Sequence, residues 1–188
     1  MTDKAVITGL ILAGGAGRRA GGQDKGLIQW QGRTLVATVA QRLQEQVQEL
    51  LISCNRNFEE YARIAPTTSG DLRQDYQGPM AGLESAVAHI HTPFVLIAPC
   101  DTPYIPLDLC QRLYEPLAEN PELQITYAHD GERGQYLCAL IRIGCLQTLP
   151  AYLDEGNRTV RHWFQAQGAQ KVDFSDQRQA FENLNNLA

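Results

Sequence analysis

Three cations, Arg18, Arg19 and Lys25, fall within eight residues of one another inside the run Leu12-Ala13-Gly14-Gly15-Ala16-Gly17-Arg18-Arg19-Ala20-Gly21-Gly22-Gln23-Asp24-Lys25. Glycines let a backbone turn tightly and bring its N–H groups close to a phosphate. The cations can balance that phosphate's charge. The chain as a whole carries a net charge of −5. Nucleic-acid binders are usually basic, so the local cluster points to a small anionic ligand rather than to a nucleic acid. A second chemical feature is Asp101, which follows the apolar run Phe94–Ala98 and is flanked by Pro99 and Pro103. A carboxylate fixed in so stiff a turn suits Mg²⁺, a hard cation that takes few protein ligands, keeps its waters and bridges phosphate oxygens.

Two familiar glycine motifs fit this loop poorly. Gly15-x-Gly17-x-x-Ala20 matches the dinucleotide fingerprint, but that motif expects an acidic residue at the end of the second strand. Ser53, Cys54, Asn55 and Arg56 stand there instead. A phosphate-binding P-loop needs Lys and then Ser or Thr directly after its last glycine, whereas Gly22 is followed by Gln23.

The elements that must position these groups are written in the hydrophobic pattern. Apolar runs at Ile7–Ala13, Leu50–Cys54, Phe94–Ala98, Leu123–Ala128, Leu137–Ile143 and Lys171–Phe174 have strand length. Leu35, Val39, Leu43, Val47 and Leu50 recur at helical spacing and predict a helix over 34–49. Further helices are expected over 58–64, 80–90, 106–118, 146–153 and 159–167. This alternation implies an α/β three-layer sandwich with a mostly parallel central sheet, in one domain over 1–188. Ligands in such sheets sit at the carboxyl ends of the strands, where the loops after Leu12 and Ala98 lie. About 44% of residues are hydrophobic, enough for a sizeable core. Five cysteines, an odd number without a C-x-x-C pair, read as buried thiols rather than a zinc site. No apolar run is long enough to span a membrane and the first residues lack a signal-peptide layout, so a cytoplasmic location is expected. Asp71 by itself reads as a solvated loop carboxylate. Gly78, Pro79 and Gly82 read as a helix start, or as a turn that lets backbone approach a base edge or ribose. Arg161 and His162 read as a solvated helix face.

Leu-Ala-Gly-Gly followed by Arg18, Arg19 and Lys25 resembles the signature loop of nucleotidyltransferases. Within that group the chain resembles the molybdenum cofactor guanylyltransferases over nearly its whole length. The shared motifs are Asn55-Arg56, Asp71, Tyr76-x-Gly78-Pro79-x-Ala81-Gly82, Pro99-Cys100-Asp101-Thr102-Pro103, His129-Asp130-Gly131-Glu132-Arg133, Gly156-x-Arg158-x-Val160, Val172-Asp173-Phe174-Ser175-Asp176 and Asn183-x-Asn185. The chain departs from the family at Ala20, where Met is usual, at Ser53, often Asn, and at Gln135-Tyr136, usually His-Pro. The resemblance implies a Rossmann-like fold of the nucleotide-diphospho-sugar transferase type. Residues up to about 105 would bind nucleotide, and the rest would form the acceptor side. It implies GMP transfer from GTP to molybdopterin, with Mg²⁺ as cofactor and cofactor-biosynthesis or molybdoenzyme-maturation proteins as further partners.

The implied nucleotide contacts are Leu12, Ala13, Gly14, Gly15, Lys25, Ser53, Asn55, Asp71, Gly78, Pro79, Gly82 and Asp101. Arg19, Lys25 and Asp101 would act in catalysis, with Asp101 holding the metal. Asp130, Arg133, Arg158, Asn183 and Asn185 would face the acceptor. A cytidylyl- or sugar-phosphate nucleotidyltransferase with the same loop, a nicotinamide-dependent oxidoreductase and a non-catalytic nucleotide-binding module are the alternatives the loop leaves open.

Overall fold

The computed structural model describes residues 6–15, 23–74 and 77–184. Arg18, Arg19, Tyr76 and Asn185 lie outside these described residues. In chain order the elements are β1 (Ile7–Leu12), β2 (Gln29–Trp30), β3 (Arg33–Thr34), α1 (Leu35–Gln44), β4 (Glu49–Ser53), α2 (Phe58–Ala62), β5 (Thr67–Ser69), α3 (Pro79–Ala86), β6 (Phe94–Pro99), α4 (Leu109–Glu119), β7 (Ile125–His129), β8 (Gly134–Arg142), α5 (Leu149–Asp154), α6 (Val160–Ala166) and β9 (Gln170–Asp173). Short 3-10 turns join several of them.

Seven strands form one sheet in the order β5-β4-β1-β6-β8-β7-β9. β5, β4, β1 and β6 run parallel, β8 runs antiparallel to both β6 and β7, and β9 is parallel to β7. β1 is apolar throughout because both of its faces are covered. Ile7 and Ile11 join one cluster with Val36, Val39 and Leu43 of α1 and Leu109 and Leu113 of α4. Leu10 and Leu12 join another with Met80 and Leu83 of α3, Leu149 and Leu153 of α5 and Trp163 and Phe164 of α6. β6 divides its side chains in the same way. The result is the three-layer sandwich that the alternation of strands and helices implies. Among the described residues no helix is long and apolar enough to cross a membrane.

The structure departs from the periodicity in places. α1 ends at Gln44, short of the expected helix over 34–49, because the Gln46 and Val47 amides fold back onto the Leu43 carbonyl and Leu50 belongs to β4. Val47 and Leu50 continue the helical spacing only by position in sequence. α3 stops at Ala86 and tightens into a 3-10 turn, and α4 begins at Leu109 rather than Pro106. Two elements carry no hydrophobic signal: the edge strand β5, which is Thr-Thr-Ser, and the β2–β3 hairpin. The hairpin turn, Gln31-Gly32, has positive φ at both residues (49° and 82°), the conformation that matches strand twist, without the Asn-Gly that usually announces it. β8 begins at Gly134, three positions before the expected strand over 137–143.

Leu10 is fully buried in the central strand, whereas Leu107 is 53% exposed. Leu10→Ala is expected to cost about 2–5 kcal/mol and Leu107→Ala less than about 0.5 kcal/mol. Urea denaturation of the two variants beside the wild type measures this. Equal losses would mean that the two-sided burial of β1 is not what holds the sheet.

Candidate active site

The strand order puts the carboxyl ends of β4, β1 and β6 side by side. Because β8 runs the other way, its amino-terminal residues lie next to them. A cleft of about 1080 Å³ opens over this edge. Its walls include Leu12, Ala13, Gly14, Gly15, Lys25, Ser53, Asp71, Gly78, Pro79, Gly82, Asp101, Arg133 and Asn183, together with Gln135, Tyr136 and Arg161. A cavity of about 530 Å³ at the opposite end of β1 and β4, lined by Thr8, Glu49, His89 and His91, contains none of the residues expected in the site.

At the β4 and β1 end, a small hydrogen-bonded frame shapes the wall. The Ala13 amide donates to the Ser53 carbonyl at 2.8 Å. Asn55 donates from Nδ2 to the Gly14 carbonyl (3.0 Å) and to Asp71 Oδ2 (2.7 Å), and its Oδ1 accepts from the Asp71 amide (2.8 Å). Asn55 thus ties the first glycine of the loop to Asp71. Burial pushes the Asp71 carboxyl above the ordinary range, against the Asn55 hydrogen bond. Two glycines are required by close approach: a Cβ on Gly14 would sit 2.9 Å from Asn55 Nδ2, and one on Gly82 would sit 2.5 Å from Ser53 Oγ. Gly78, with φ of 88°, makes the turn that starts α3 with Pro79 in its first turn.

Lys25 and Asp101 meet at the middle of the cleft. Lys25 Nζ donates to Asp101 Oδ2 and, at 3.1 Å, to Asn183 Oδ1. The 3-10 turn that presents Lys25 is held from behind by Asp24. Asp24 accepts from the hydroxyl of fully buried Tyr61 and from Asn57 Nδ2 (2.9 Å), with Arg56 3.6 Å away. Arg56 also donates to the Gln23 carbonyl at 2.8 Å. The neighbouring Gly26 leaves no room for a side chain, since a Cβ there would lie 2.6 Å from the Tyr61 hydroxyl. Asp101 is 8% exposed. Its backbone is fixed on both sides, by the Cys100 amide on the Leu12 carbonyl (3.2 Å) and by the Leu184 amide on the Asp101 carbonyl (3.0 Å).

Three oxygens on this wall, Ser53 Oγ, Asp71 Oδ1 and Asp101 Oδ1, are buried and have no hydrogen-bond partner. Buried polar groups are almost always paired. Three orphans along one cleft therefore mark where a polar ligand would complete the protein. Among the described residues no group of three or more His, Cys, Asp and Glu gathers. Nucleophilic thiols are no part of this chemistry: burial pushes Cys54, Cys100 and Cys138 up to about 12.

The expected acceptor residues divide. Asp130 is a structural anchor: its Oδ1 accepts from the Glu132 and Arg133 amides (2.9 and 2.8 Å), and Oδ2 accepts from Gln135 Nε2 (2.6 Å). Burial works against this charge, but those hydrogen bonds and Arg133 outweigh it and hold the carboxyl below its ordinary value. Arg133 and Asn183 line the cleft. Arg158 is directed elsewhere. Its guanidinium donates to the Leu153 carbonyl (2.7 Å) and Gln77 Oε1 (2.6 Å), so it braces the loop before Gly78. Arg161, read from sequence as a solvated face, lines the cleft instead. Gln135 and Tyr136 are there as well, without any charge or spacing signal to single them out. Arg19 and Asn185 lie outside the described residues.

Comparison with known proteins identifies the family. The family described as the MobA-like NTP transferase domain matches residues 9–172. A molybdenum cofactor guanylyltransferase from Mannheimia succiniciproducens is 42% identical over 97% of this chain and 95% of its own length. One from Histophilus somni is 40% identical over 96% and 92%. The solved structure of molybdopterin-guanine dinucleotide biosynthesis protein A from Archaeoglobus fulgidus superposes with a TM-score of 0.77 at 18% identity, covering 96% of this chain and 93% of that one, which speaks for the fold. A sheet with its strand ends gathered at one cleft, a glycine loop, and relatives of near-full-length similarity make the chain a nucleotidyltransferase that belongs to the MobA-like NTP transferase family.

Proposed function

We propose that the protein transfers GMP from GTP to the terminal phosphate of molybdopterin, forming molybdopterin guanine dinucleotide and releasing pyrophosphate. The observation that carries this reading is the set of orphaned buried oxygens, Ser53 Oγ, Asp71 Oδ1 and Asp101 Oδ1, spread along one cleft beside Lys25. Ser53 and Asp71, with the close-packed Gly14 and Gly82, form the nucleoside end, where base and ribose donors would satisfy both oxygens. Beyond the Ala13 amide, which Ser53 holds, the backbone N–H groups of Gly14 and Gly15 would face the phosphates. The family pattern gives Arg19 the same charge-balancing role.

Asp101 would hold Mg²⁺. The donor set fits, since its Oδ1 is unpartnered and Mg²⁺ typically takes one or two carboxylates plus substrate phosphates and water. When bound, the ion neutralises charge on the triphosphate and the departing pyrophosphate. The chain's own residues do the rest by placement. Lys25, fixed by the Asp24 and Tyr61 contacts, balances phosphate charge. The acceptor phosphate is largely dianionic near neutral pH, its second pKa being about 6, so its oxygen attacks the α-phosphorus without a protein base. The bond from that phosphorus to the bridging oxygen breaks, and pyrophosphate leaves with the electron pair. Alignment and charge neutralisation supply the acceleration.

Asp101→Asn keeps the shape and removes the charge. Transfer should fall roughly a hundredfold or more, the scale of losing one preorganised charge-stabilising group, with the melting temperature near that of the wild type. Near-native turnover at saturating Mg²⁺ would remove Asp101 from the mechanism. Lys25→Ala should weaken GTP binding by about tenfold or more, as loss of a charge-assisted hydrogen bond does. Isothermal titration reads this directly, and unchanged affinity with unchanged turnover rejects the assignment.

A cleft whose polar groups are satisfied by guanine leaves them unpaired when another base enters, at about 1–3 kcal/mol each. Two mismatches give roughly a hundredfold preference. GTP should therefore outcompete ATP and CTP by about that factor in transfer to molybdopterin at equal concentrations. Equal use of CTP would move the protein to a cytidylyl function. Binding of NAD without any triphosphate would point to an oxidoreductase instead.

A further inference from the structure

The wall of the cleft opposite the nucleoside end is built by an irregularity in the sheet. Along β7, Tyr127 pairs with Ala139 of β8, but the next residue, Ala128, pairs with Gln135. Tyr136, Leu137 and Cys138 are left over on β8, looped out of the β7 ladder. The pairing of β8 with β6 ends at Ile97 and Ala139, so this bulge lies beyond the last bonded pair, beside the end of β6 and hence beside Asp101. Bulges next to binding sites re-aim side chains that a regular strand would point elsewhere. Here Tyr136 and Leu137 both line the cleft.

The bulge is a braced surface. The Tyr136 and Tyr127 rings stack at 4.8 Å between centroids with a 29° interplanar angle, and fully buried Phe164 supports both. Gly134 makes this possible, because a Cβ there would sit 2.9 Å from Tyr136 and 3.0 Å from Tyr127. Gln135 is oriented by its 2.6 Å hydrogen bond from Nε2 to the charged Asp130, which leaves Oε1 as the acceptor end of the amide. Arg161 lines the same wall.

We propose that the bulged start of β8, with Tyr136 as its face, Gln135 as its hydrogen-bond acceptor and Arg161 as its cation, is the acceptor subsite. The ligand class follows from this chemistry: a planar heterocycle with N–H donors on its edge, carrying a phosphate. An aromatic face takes a flat ring, an amide oxygen takes ring N–H groups, and a guanidinium takes an anion. The cleft volume of about 1080 Å³ lies just above the roughly 300–1,000 Å³ range of single small-ligand pockets, and so has room for a nucleotide and a second substrate together. This assignment makes Asp130 a positioning residue, acting through Gln135, and it rests on the transfer reaction proposed above.

The test is steady-state transfer with GTP, Mg²⁺ and molybdopterin on the full chain, comparing Tyr136→Ala, Tyr136→Phe and Arg161→Ala. Tyr136→Ala should raise the acceptor KM about tenfold or more, the scale of losing one stacked ring, with GTP affinity by titration within about twofold of wild type. Tyr136→Phe keeps the ring and should restore the acceptor KM to within about threefold. Arg161→Ala should raise the acceptor KM and flatten its dependence on salt. A parallel arm follows binding of neopterin monophosphate by ligand-observed NMR, which needs no turnover. If the wild type binds this probe and Tyr136→Ala does not, the subsite stands even where transfer to molybdopterin fails, and only the transfer reading falls. If Tyr136→Ala and Arg161→Ala leave both acceptor KM and probe binding at wild-type values, or if the wild type binds neither pterin, the subsite is overturned.

Discussion

A buried carboxylate with one oxygen left unpaired sits at the centre of this structure. Asp101 is almost wholly enclosed, its Oδ2 is taken by Lys25, and its Oδ1 has no partner. An unpaired buried acceptor costs on the order of 1–3 kcal/mol, and Ser53 and Asp71 carry a similar burden. Hydrophobic burial on both faces of β1 and β6 fixes the backbone from which these polar groups project. These unpartnered oxygens are the groups that a bound nucleotide and its metal would satisfy. Ligand binding should thus stabilise this fold more than the contact area suggests, since it also removes the desolvation penalties.

The position of Lys25 depends on that carboxylate from one side and on Tyr61 from the other. Asp24 is gripped by Tyr61 and Asn57, and Gly26 packs against the Tyr61 hydroxyl. The lysine therefore leaves a turn whose backbone is anchored to α2, on a different element from the strands that carry Asp101. Preorganisation of this kind lowers the entropic cost of placing a flexible side chain on a phosphate.

Much of this was legible in the residues. Strands buried on both faces betray themselves as unbroken apolar runs, so β1, β4 and β6 could be placed, and with them the loops holding Lys25 and Asp101. The family pattern drew in Ser53, Asp71 and Gly82, which the hydrophobic pattern alone would leave as strand, loop and helix residues. What escaped had physical reasons. β5 is polar because it is a short edge strand, and the hairpin turn Gln31-Gly32 lacks the usual residues. Arg161 sits next to solvent-facing His162 on a short helix, and only the tertiary fold turns it toward the cleft. Gln135 and Tyr136 stood out only as a departure from the family's usual pair, not as a site, because β8 breaks its own alternation there, and a bulge erases the period-two signal that a strand would otherwise carry.

The arrangement of subsites follows from sheet topology more than from any single motif. Reading across the strand ends, β4 brings Ser53, β1 brings the glycine loop, β6 brings Asp101 and β8 brings Gln135 and Tyr136. Three parallel strands deliver their carboxyl ends to one edge, and the antiparallel β8 delivers its beginning to the same edge. A parallel strand in that place would have offered its own carboxyl end and the loop after it. The reversed strand offers instead a hairpin arm anchored by Asp130, on which a bulge can aim rings and amides toward Asp101 from the far side. In this reading nucleotide and acceptor approach Asp101 from opposite flanks because the strands on its two flanks run in opposite directions.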